Sequence, residues 1–520
     1  MTNKLRNVLF YITLFLFIVI ASFQGNTADY DLFARLLQGQ AFWQLGNILH
    51  HDIFSYTPTH TWFDHEWGSS VVFYWVFDKF GQLGFLWLKA LMIFGIFAFA
   101  IEALKIRGVK FSTPYNILFY YFAYHAAYIA GFSNTIRCQL FTYLFFAIWI
   151  YLLERVRKKG EYYWLATFVP MMLFWSNIHG GCAAGLGLLV LYTIGEMLNK
   201  KPFKYYIFAL LGCTLITFAN PWGIDYVKFL LMATTMKRIL IAEWQPTFGA
   251  INAGDFIFFK IFFCTTILLA LIRLCMKIKT LKNIDWTKAV VMTTMTFLCL
   301  KYTRHQPFFV LCTLVFMYDD FYKIISTLTK KLIKPDILRE KICNIKELIL
   351  YSIVAIATIC FFVTNKPQVV VTNNKFPIKP IEFIKINELK GNLLVNFHHG
   401  SYAAYKLYPH NLIAMDGRYE EVYNDYMLPM FNNFFMQVGE NPNMIIEHFR
   451  PDIIVMEHKF KADEALSQNK TYQKAYSDEV YSVYVDKKLA KKSYKAPSEK
   501  AEYYNKNLFE TRLKFSKPKK

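Results

Sequence analysis

Long apolar runs alternate with short polar stretches along the first 364 residues of the chain. A transmembrane helix needs about 20 consecutive apolar residues, and on that scale we predict about eleven spans. A further apolar stretch at 71–80 is too short to cross a bilayer and is predicted to be a helix lying in the membrane interface. The predicted spans lie at 7–25, 83–104, 114–131, 138–153, 162–178, 181–198, 205–220, 256–276, 286–303, 306–327 and 346–364. The pattern therefore predicts a polytopic α-helical membrane protein.

The pattern changes near residue 365, where apolar runs shorten and polar residues become more frequent. Strands that alternate with helices favour a small, mostly parallel sheet. We predict strands at 392–397, 411–415, 451–456 and 480–485, and helices at 402–407 and 420–438. The expected organisation is a membrane domain over 1–364, a soluble α/β domain over 365–486 and a basic, disordered tail over 487–520.

Charge gives the expected orientation of these parts. The net charge is +21, but the lysines and arginines gather beside apolar spans in alternate loops, which disfavours nucleic acid as a partner. The positive-inside rule then places the N-terminus in the cytoplasm. The long loops 26–82 and 221–255 and the C-terminal domain lie outside, so we expect a multi-pass protein of the inner (plasma) membrane. The nine cysteines lie between Cys138 and Cys360 and imply no disulfide framework.

The first outer loop carries the densest candidate chemistry. It contains the strings DYD from Asp29, HHDIFSYT from His50 and WFDHEW from Trp62. Acids held just outside a bilayer can bind a metal or take a proton from an acceptor hydroxyl. We therefore predict Asp29, Asp31 and Glu66 as catalytic residues and His65 as substrate-binding.

Plainer interpretations exist for the same residues. Asp31 could cap the helix that follows it, His65 and Glu66 could lie in a solvated loop, and Asp52 is expected to form a turn. In the outer domain, His398, His399, Asp416 and Arg418 stand at strand ends, where they could bind an acceptor or pair locally.

Cations at the predicted outer helix ends suggest a phosphate site. Arg137, Arg304 and His305 could hold phosphate oxygens, because the guanidinium fork matches them, or could extend to lipid headgroups. Glu243, in the second outer loop, and His179, in a minimal turn between two spans, are also assigned to substrate binding. The adjacent glycines, Gly181 and Gly185, are expected to serve helix packing.

These motifs resemble a known class of membrane enzymes. "DYDLFARLLQG", "HDIFSYT", "HEWG", "NIHGG", "NPWG", "EWQPT", "RHQPF" and "MDGRYE" look like a largely uncharacterised group of bacterial membrane proteins placed near the GT-C glycosyltransferases. The resemblance covers most of residues 1 to 460. It implies a polyprenyl-phosphate-linked sugar donor, inverting transfer at the outer face, and an acid of the first outer loop as base. Some GT-C enzymes need a divalent metal, and Asp29-Tyr30-Asp31 stands where their acidic pair is expected.

The sequence thus favours a GT-C-like glycosyltransferase acting on a cell-envelope glycan, lipid or protein acceptor. The alternatives are a transporter or flippase for a lipid-linked glycan and a non-catalytic scaffold of envelope assembly. A transporter often shows two related halves with polar residues at the membrane midplane, whereas here the acids gather in an outer loop.

Overall fold

A computed structural model describes residues 3–109, 113–236, 238, 241–277, 284–323, 336–498 and 515. The chain forms two compact units. Unit 1 comprises Met1–Asn26 and Leu86–Gln368, and unit 2 comprises Thr27–Phe85 and Val369–Lys520. The end of the predicted span 306–327 and most of the predicted tail 487–520 lie outside the described residues.

Unit 1 is built from helices, because its sequence is a succession of apolar runs. Within the described residues, six helices of the chain are long and apolar enough to cross a membrane. They are Lys4–Phe23, Trp67–Ile106, Gln139–Lys159, Gly180–Leu198, Ile257–Cys275 and Glu347–Thr364. The remaining predicted spans correspond to helices Thr113–Ala127, Phe168–Ile178, Lys204–Ile216, Trp286–Lys301 and Gln306–Phe316. These helices fit a polytopic membrane protein, and the expected number of spans stays a prediction.

Close helix packing in unit 1 depends on small residues and on one buried lysine. A Cβ added at Gly185 would lie 2.6 Å from the Trp175 ring, which supports the expected packing role of that glycine. Lys89 is fully buried, and its ammonium donates to Asn26 at 2.8 Å and to the carbonyl oxygens of Ser133 and Asn134. These bonds fix the segment that leads into Arg137.

Unit 2 contains a five-stranded sheet in the order β2-β1-β3-β5-β4. Its strands are β1 Gly391–Leu394, β2 Asn411–Ile413, β3 Ile453–Glu457, β4 Tyr472–Ser477 and β5 Tyr481–Asp486. Strand β1 is parallel to β2 and β3, whereas β5 is antiparallel to β3 and β4. The four predicted strands are confirmed, but the mostly parallel sheet is wrong because β4 was not foreseen. Strand β4 is an edge strand with largely exposed side chains, so it lacks a strong apolar pattern.

Helices cover this sheet, and one predicted helix is divided. The stretch 420–438 forms two helices, Tyr419–Val422 and Met427–Met436, with extended backbone at Tyr423 between them. The other helices of the C-terminal part are Ile378–Ile386, Phe397–Leu407, Met444–Phe449 and Lys461–Ser467.

The first long loop folds with the C-terminal part of the chain. Helix Leu32–Leu45 packs on helix Phe397–Leu407, with the Phe33 ring 4.8 Å from that of Tyr402. The backbone at 54–56 exchanges hydrogen bonds with Ile413, the last residue of β2. Residues 27–85 therefore belong to the same unit as the α/β fold, which differs from the predicted division that placed loop 26–82 in the membrane domain.

The predicted interfacial stretch 71–80 is helical. It is the first part of helix Trp67–Ile106, which is interrupted at Gly81, where φ is 60° and ψ is −153°. A side chain would strain this backbone, so glycine is the residue suited to the break. The location of 71–80 in the membrane interface stays a prediction.

Candidate functional site

One guanidinium in unit 2 holds three carboxylates. Arg35, in the first turn of helix Leu32–Leu45, approaches Asp64 at 3.0 Å, Glu66 at 3.4 Å and Glu421 at 3.8 Å. The side chains of Arg35, Asp64 and Glu421 are each 5% exposed. We call these residues, with His65, the Arg35 cluster. Its members come from three distant parts of the sequence and meet where the first loop joins the α/β fold.

His65 adds a second cation to the Arg35 cluster. Its Nδ1 lies 2.8 Å from Glu421, and its Nε2 lies 3.6 Å from Glu66. Burial alone would lower the pKa of His65, but Glu421 and Glu66 raise it to about 9. His65 is therefore charged near neutral pH. The expectation of a solvated loop at His65 and Glu66 is wrong, because the two side chains are only 23% and 12% exposed.

Asp64 has a different electrostatic environment from an ordinary surface carboxylate. Burial raises its pKa to about 6, and Glu421 adds to the increase, while Arg35 opposes it. Its Oδ1 also accepts the backbone N–H of Glu66 at 3.0 Å. A carboxylate with such a pKa can exchange a proton near neutral pH, which is what a general base requires.

A second buried arginine lies in the same unit. Arg418 donates to both carboxylate oxygens of Asp416 at 2.9 Å and pairs with Asp52 at 2.7 Å. Ser401 donates to Asp416 at 3.0 Å, and the backbone N–H of Ser55 donates to Asp52 at 2.8 Å. The last bond confirms the expected turn at Asp52, and the pairing of Asp416 with Arg418 confirms the local interpretation. These residues brace the fold beside the Arg35 cluster.

Asp31 precedes helix Leu32–Leu45 but does not cap it through its side chain. Its carboxylate lies against Gly417, where an added Cβ would be 2.8 Å from Asp31 Oδ1. Asp31 and Arg35 are one helical turn apart, joined by the backbone bond from Arg35 N to Asp31 O at 3.1 Å. Asp31 is partly exposed, and its side chain makes no N-cap hydrogen bond.

Asp29 is buried, with 7% of its surface exposed, and the next residue, Tyr30, makes an aromatic contact. The Tyr30 ring lies 4.9 Å from that of His398. His399 is buried and held neutral, since burial and then the neighbouring His398 lower its pKa to about 3, whereas His398 is exposed. These histidines pack in the fold of unit 2.

Four of the predicted substrate-binding residues come together in unit 1. Arg137 pairs with Glu243 at 2.6 Å, and Arg304 stacks on Trp244 at 4.6 Å. His305 lies 6.4 Å from the same indole. Burial would raise the pKa of Glu243, but Arg137 and Arg304 hold it below its usual value. We call Arg137, Arg238, Glu243, Trp244, Arg304 and His305 the basic cluster.

The fifth predicted residue of this set, His179, has local partners. Its Nδ1 accepts the backbone N–H of Gly181 and lies 2.8 Å from the hydroxyl of Thr142. Thr142 in turn accepts the indole N–H of Trp175 at 2.9 Å. His179 orders the turn between two helices.

A bound divalent metal ion would need a group of acidic or histidine side chains as its ligands. Among the residues that the structure describes, no group of three or more His, Cys, Asp or Glu side chains is arranged to hold a metal ion. In the Arg35 cluster, the guanidinium occupies the position between the carboxylates that a cation would take.

Three members of this region were not predicted as functional. Arg35 and Asp64 were present in the motifs DYDLFARLLQG and WFDHEW, but only as letters of those motifs, and Glu421 is the residue directly after the motif MDGRYE. Arg35 follows Asp31 by four residues, which is a visible helical spacing. The approach of Glu421 to residues 62–66 is non-local and has no signal in the linear pattern. No protein-family model matches the chain, and no curated protein is significantly similar to it.

Proposed function

We propose that the protein is an integral membrane glycosyltransferase of the GT-C type. It transfers a sugar from a polyprenyl-phosphate-linked donor to a cell-envelope acceptor at the outer face of the plasma membrane. The observation that carries the proposal is the Arg35 cluster, where the carboxylate of Asp64, with a pKa of about 6, lies among the buried charges of Arg35 and Glu421. The proposal includes the topology predicted from the sequence, with about eleven spans, a cytoplasmic N-terminus and an extracytoplasmic unit 2.

The acceptor hydroxyl needs a base. The resemblance implies an acid of the first outer loop as the base. This proposal assigns that role to Asp31 or Asp29, with Glu66 as second acid, and the geometry adds the carboxylate of Asp64. The base removes the hydroxyl proton while the acceptor oxygen attacks C1 of the donor sugar. The bond between C1 and the phosphate oxygen breaks, the phosphate leaves with the electron pair, and the configuration at C1 inverts.

The basic cluster supplies the chemistry that a leaving phosphate needs. Arg137 and Glu243 form a charge-assisted pair, and Arg304 is oriented by its stacking on Trp244. Such preorganised cations stabilise negative charge that develops on phosphate oxygens. In this proposal, Arg137 and Arg304 bind the phosphate of the donor as cations. His305 binds it as a neutral hydrogen-bonding group, because burial and Arg304 lower its pKa to about 4.

Transfer can be measured with the full-length protein in lipid nanodiscs and a panel of polyprenyl-phosphate-linked radiolabelled sugars. We expect Asp64→Asn or Asp31→Asn to reduce transfer by about 10²-fold or more, the scale of a lost general base. The matched control is Asp78→Asn, an exposed carboxylate near the same loop, which should retain full transfer. Formation of no product by the wild-type protein with any polyprenyl-linked donor would refute the proposal.

A further inference from the structure

Lys89 is a buried lysine of unit 1 that the proposed mechanism does not use. It lies in helix Trp67–Ile106 and is 0% exposed. Its ammonium donates to the side-chain oxygen of Asn26 at 2.8 Å and to the carbonyl oxygens of Ser133 and Asn134. An ammonium has three N–H donors, so these three acceptors use all of them. Lys89 therefore has no donor left for a ligand and can act only through the residues that it binds.

The acceptors of Lys89 are all uncharged. Among the residues that the structure describes, none of its hydrogen-bond partners is a carboxylate. A buried ammonium without a counter-ion is costly, and ionisable residues within membrane spans usually serve a function. Lys105 of the same helix differs, because it pairs with Glu102 at 2.8 Å and is 29% exposed. The cost at Lys89 points to a role for its hydrogen bonds beyond stability.

The two carbonyl oxygens that Lys89 binds belong to a short segment that leads to Arg137 of the basic cluster. The segment follows a π-helical turn, Tyr128–Phe132, and turns of this kind are frequent at functional sites. The two residues between Asn134 and Arg137 are both buried. A buried segment has little freedom to move, so the bonds from Lys89 fix the position at which Arg137 leaves it.

The π-helical turn also packs against the element that follows two other predicted phosphate-binding residues. A Cβ added at Gly131 would lie 2.8 Å from the side chain of Pro307, at the start of helix Gln306–Phe316. Arg304 and His305 directly precede that helix. The segment is therefore held by the buried ammonium on one side and by this helix on another.

We propose that Lys89 is a positioning residue for phosphate binding. Its three hydrogen bonds hold the segment before Arg137 so that the guanidinium stays in the basic cluster, paired with Glu243 at 2.6 Å. The inference rests on the proposed function, in which Arg137 binds the phosphate of the donor. It adds a residue that never contacts the donor and yet sets the affinity for its phosphate.

Binding can be measured with geranyl phosphate, a short polyprenyl phosphate, and with geraniol as the same chain without the phosphate. The full-length protein in nanodiscs is titrated with each compound by isothermal calorimetry, with empty nanodiscs as the blank. Lys89→Met keeps an unbranched side chain of similar length and removes all three donors. We expect it to weaken geranyl phosphate binding at least about tenfold, the scale of a misplaced binding group, and to leave geraniol binding unchanged. In the transfer assay, the KM for the donor should rise and the KM for the acceptor should not.

A double-mutant cycle tests whether Lys89 acts through Arg137. Arg137→Gln alone should weaken geranyl phosphate binding, and Lys89→Met should cause no further loss in that background, because the same contact is already missing. A purely structural role of Lys89 predicts losses that multiply. Lys105→Met is the matched control, since Lys105 lies in the same helix and donates to Tyr11 and Glu102, and it should leave phosphate binding unchanged.

Lys89→Gln covers the case in which Lys89→Met does not accumulate in the membrane. Its shorter amide keeps a polar side chain with two N–H donors, so it cannot satisfy three acceptors. We expect a smaller loss of geranyl phosphate binding than in Lys89→Met, and again no loss in the Arg137→Gln background.

The outcomes separate this inference from the proposed function. The positioning role is overturned by wild-type protein that binds geranyl phosphate no better than geraniol, by unchanged binding in the Lys89 variants, by multiplying losses in the cycle, or by an equal loss in Lys105→Met. If the cycle behaves as expected but no donor supports transfer, the positioning role holds and the glycosyltransferase proposal fails. If transfer proceeds with an unchanged donor KM in Lys89→Met, the positioning role fails and the proposed function stands.

Discussion

The indole N–H of Trp62 donates to the carboxylate of Glu421 at 2.8 Å, although the two residues are 359 positions apart in the chain. The same indole ring lies 4.7 Å from the guanidinium carbon of Arg418. Trp62 therefore joins the Arg35 cluster to the buried pair of Arg418 and Asp416. Unit 2 is held together by contacts between the first long loop and the C-terminal α/β fold.

The hydrogen bond of Trp62 should be measurable as stability. Trp62→Phe keeps an aromatic ring but leaves one oxygen of buried Glu421 without this donor, so we expect a loss of about 1–3 kcal/mol in the free energy of unfolding. Thermal unfolding of the purified protein in detergent would measure it. Trp43→Phe is the control, because Trp43 is exposed, and should change stability by less than about 0.5 kcal/mol. Equal stability of the Trp62→Phe and Trp43→Phe variants would contradict the structure.

Arg35 should be the most sensitive residue of the cluster. Arg35→Met removes the cation shared by the buried carboxylates of Asp64 and Glu421 and the partly exposed Glu66, and breaking a buried ion pair costs about 3–5 kcal/mol. Arg35→Lys keeps the charge but loses the planar fork, so we expect an intermediate loss. Limited proteolysis of loop 26–82 during a denaturant titration would report both effects. A fully stable Arg35→Met variant would show that the carboxylates do not depend on this cation.

His65 makes the stability of unit 2 dependent on pH. Its folded-state pKa is raised from 6.5 to about 9 by Glu421 and Glu66, against the lowering effects of burial and of Arg35. Its contribution is therefore fully present below pH 6.5 and is lost as the pH rises to about 9. Asp64 also lowers the stability of unit 2 as the pH rises, but over a lower range. Its pKa is raised from 3.8 to about 6, so its contribution is lost between these two values.

The measurement is the unfolding temperature of the full-length protein between pH 6 and 9.5. We expect a fall in stability over that interval of about 3 kcal/mol at most. His65→Gln should flatten this part of the profile, and His51→Gln, at an exposed position, should leave it unchanged. A profile of the same slope in the His65→Gln variant would show that another group titrates there.

The sequence predicts the elements of this fold better than their grouping. The apolar runs locate a helix at each predicted span, and the buried strands β1, β2, β3 and β5 are correctly placed because their side chains are apolar. The edge strand β4 was missed because its exposed residues leave no such pattern. The membership of 27–85 in unit 2 depends on packing of Leu32–Leu45 against Phe397–Leu407, which is a contact between distant segments.

In the candidate site, too, the individual residues could be predicted from the sequence, whereas the contacts between distant segments could not. Glu66 and His65 were predicted from the composition of the first loop. Their buried surroundings could not be predicted, because these include Glu421, which lies more than 350 residues later in the chain. The basic cluster was foreseen as separate cations, Arg137, Arg304 and His305. Its assembly around Trp244 is a tertiary feature, since the residues come from different loops and helix ends.

The predicted orientation can be tested by reporter fusions. Alkaline phosphatase, which is active only outside the cytoplasm, should be active when it is fused after residue 365, and a cytoplasmic reporter should be inactive there. A matched fusion after Lys159, in a loop expected to be cytoplasmic, should give the opposite pair of results. Cytoplasmic activity after residue 365 would reverse the assignment of the Arg35 cluster to the outer face.

Arg304 should matter for its shape as well as its charge. The guanidinium lies 4.6 Å from the centre of the Trp244 ring, and a planar fork that is stacked in this way can present two donors to phosphate oxygens. Arg304→Lys retains the charge but loses the fork. We therefore expect a higher KM for the polyprenyl-linked donor, roughly tenfold for about 1.4 kcal/mol of lost binding, and an unchanged KM for the acceptor.

The alternative role of Arg304 is to extend its charge to lipid headgroups, and lysine fills that role as well as arginine. An unchanged rate of Arg304→Lys at limiting donor concentration would favour it. Arg304→Gln completes the series, because it removes the charge while keeping a polar side chain. Loss of donor use in both variants with the acceptor KM preserved supports phosphate binding, whereas loss in Arg304→Gln alone shows that charge is sufficient and the fork is not required.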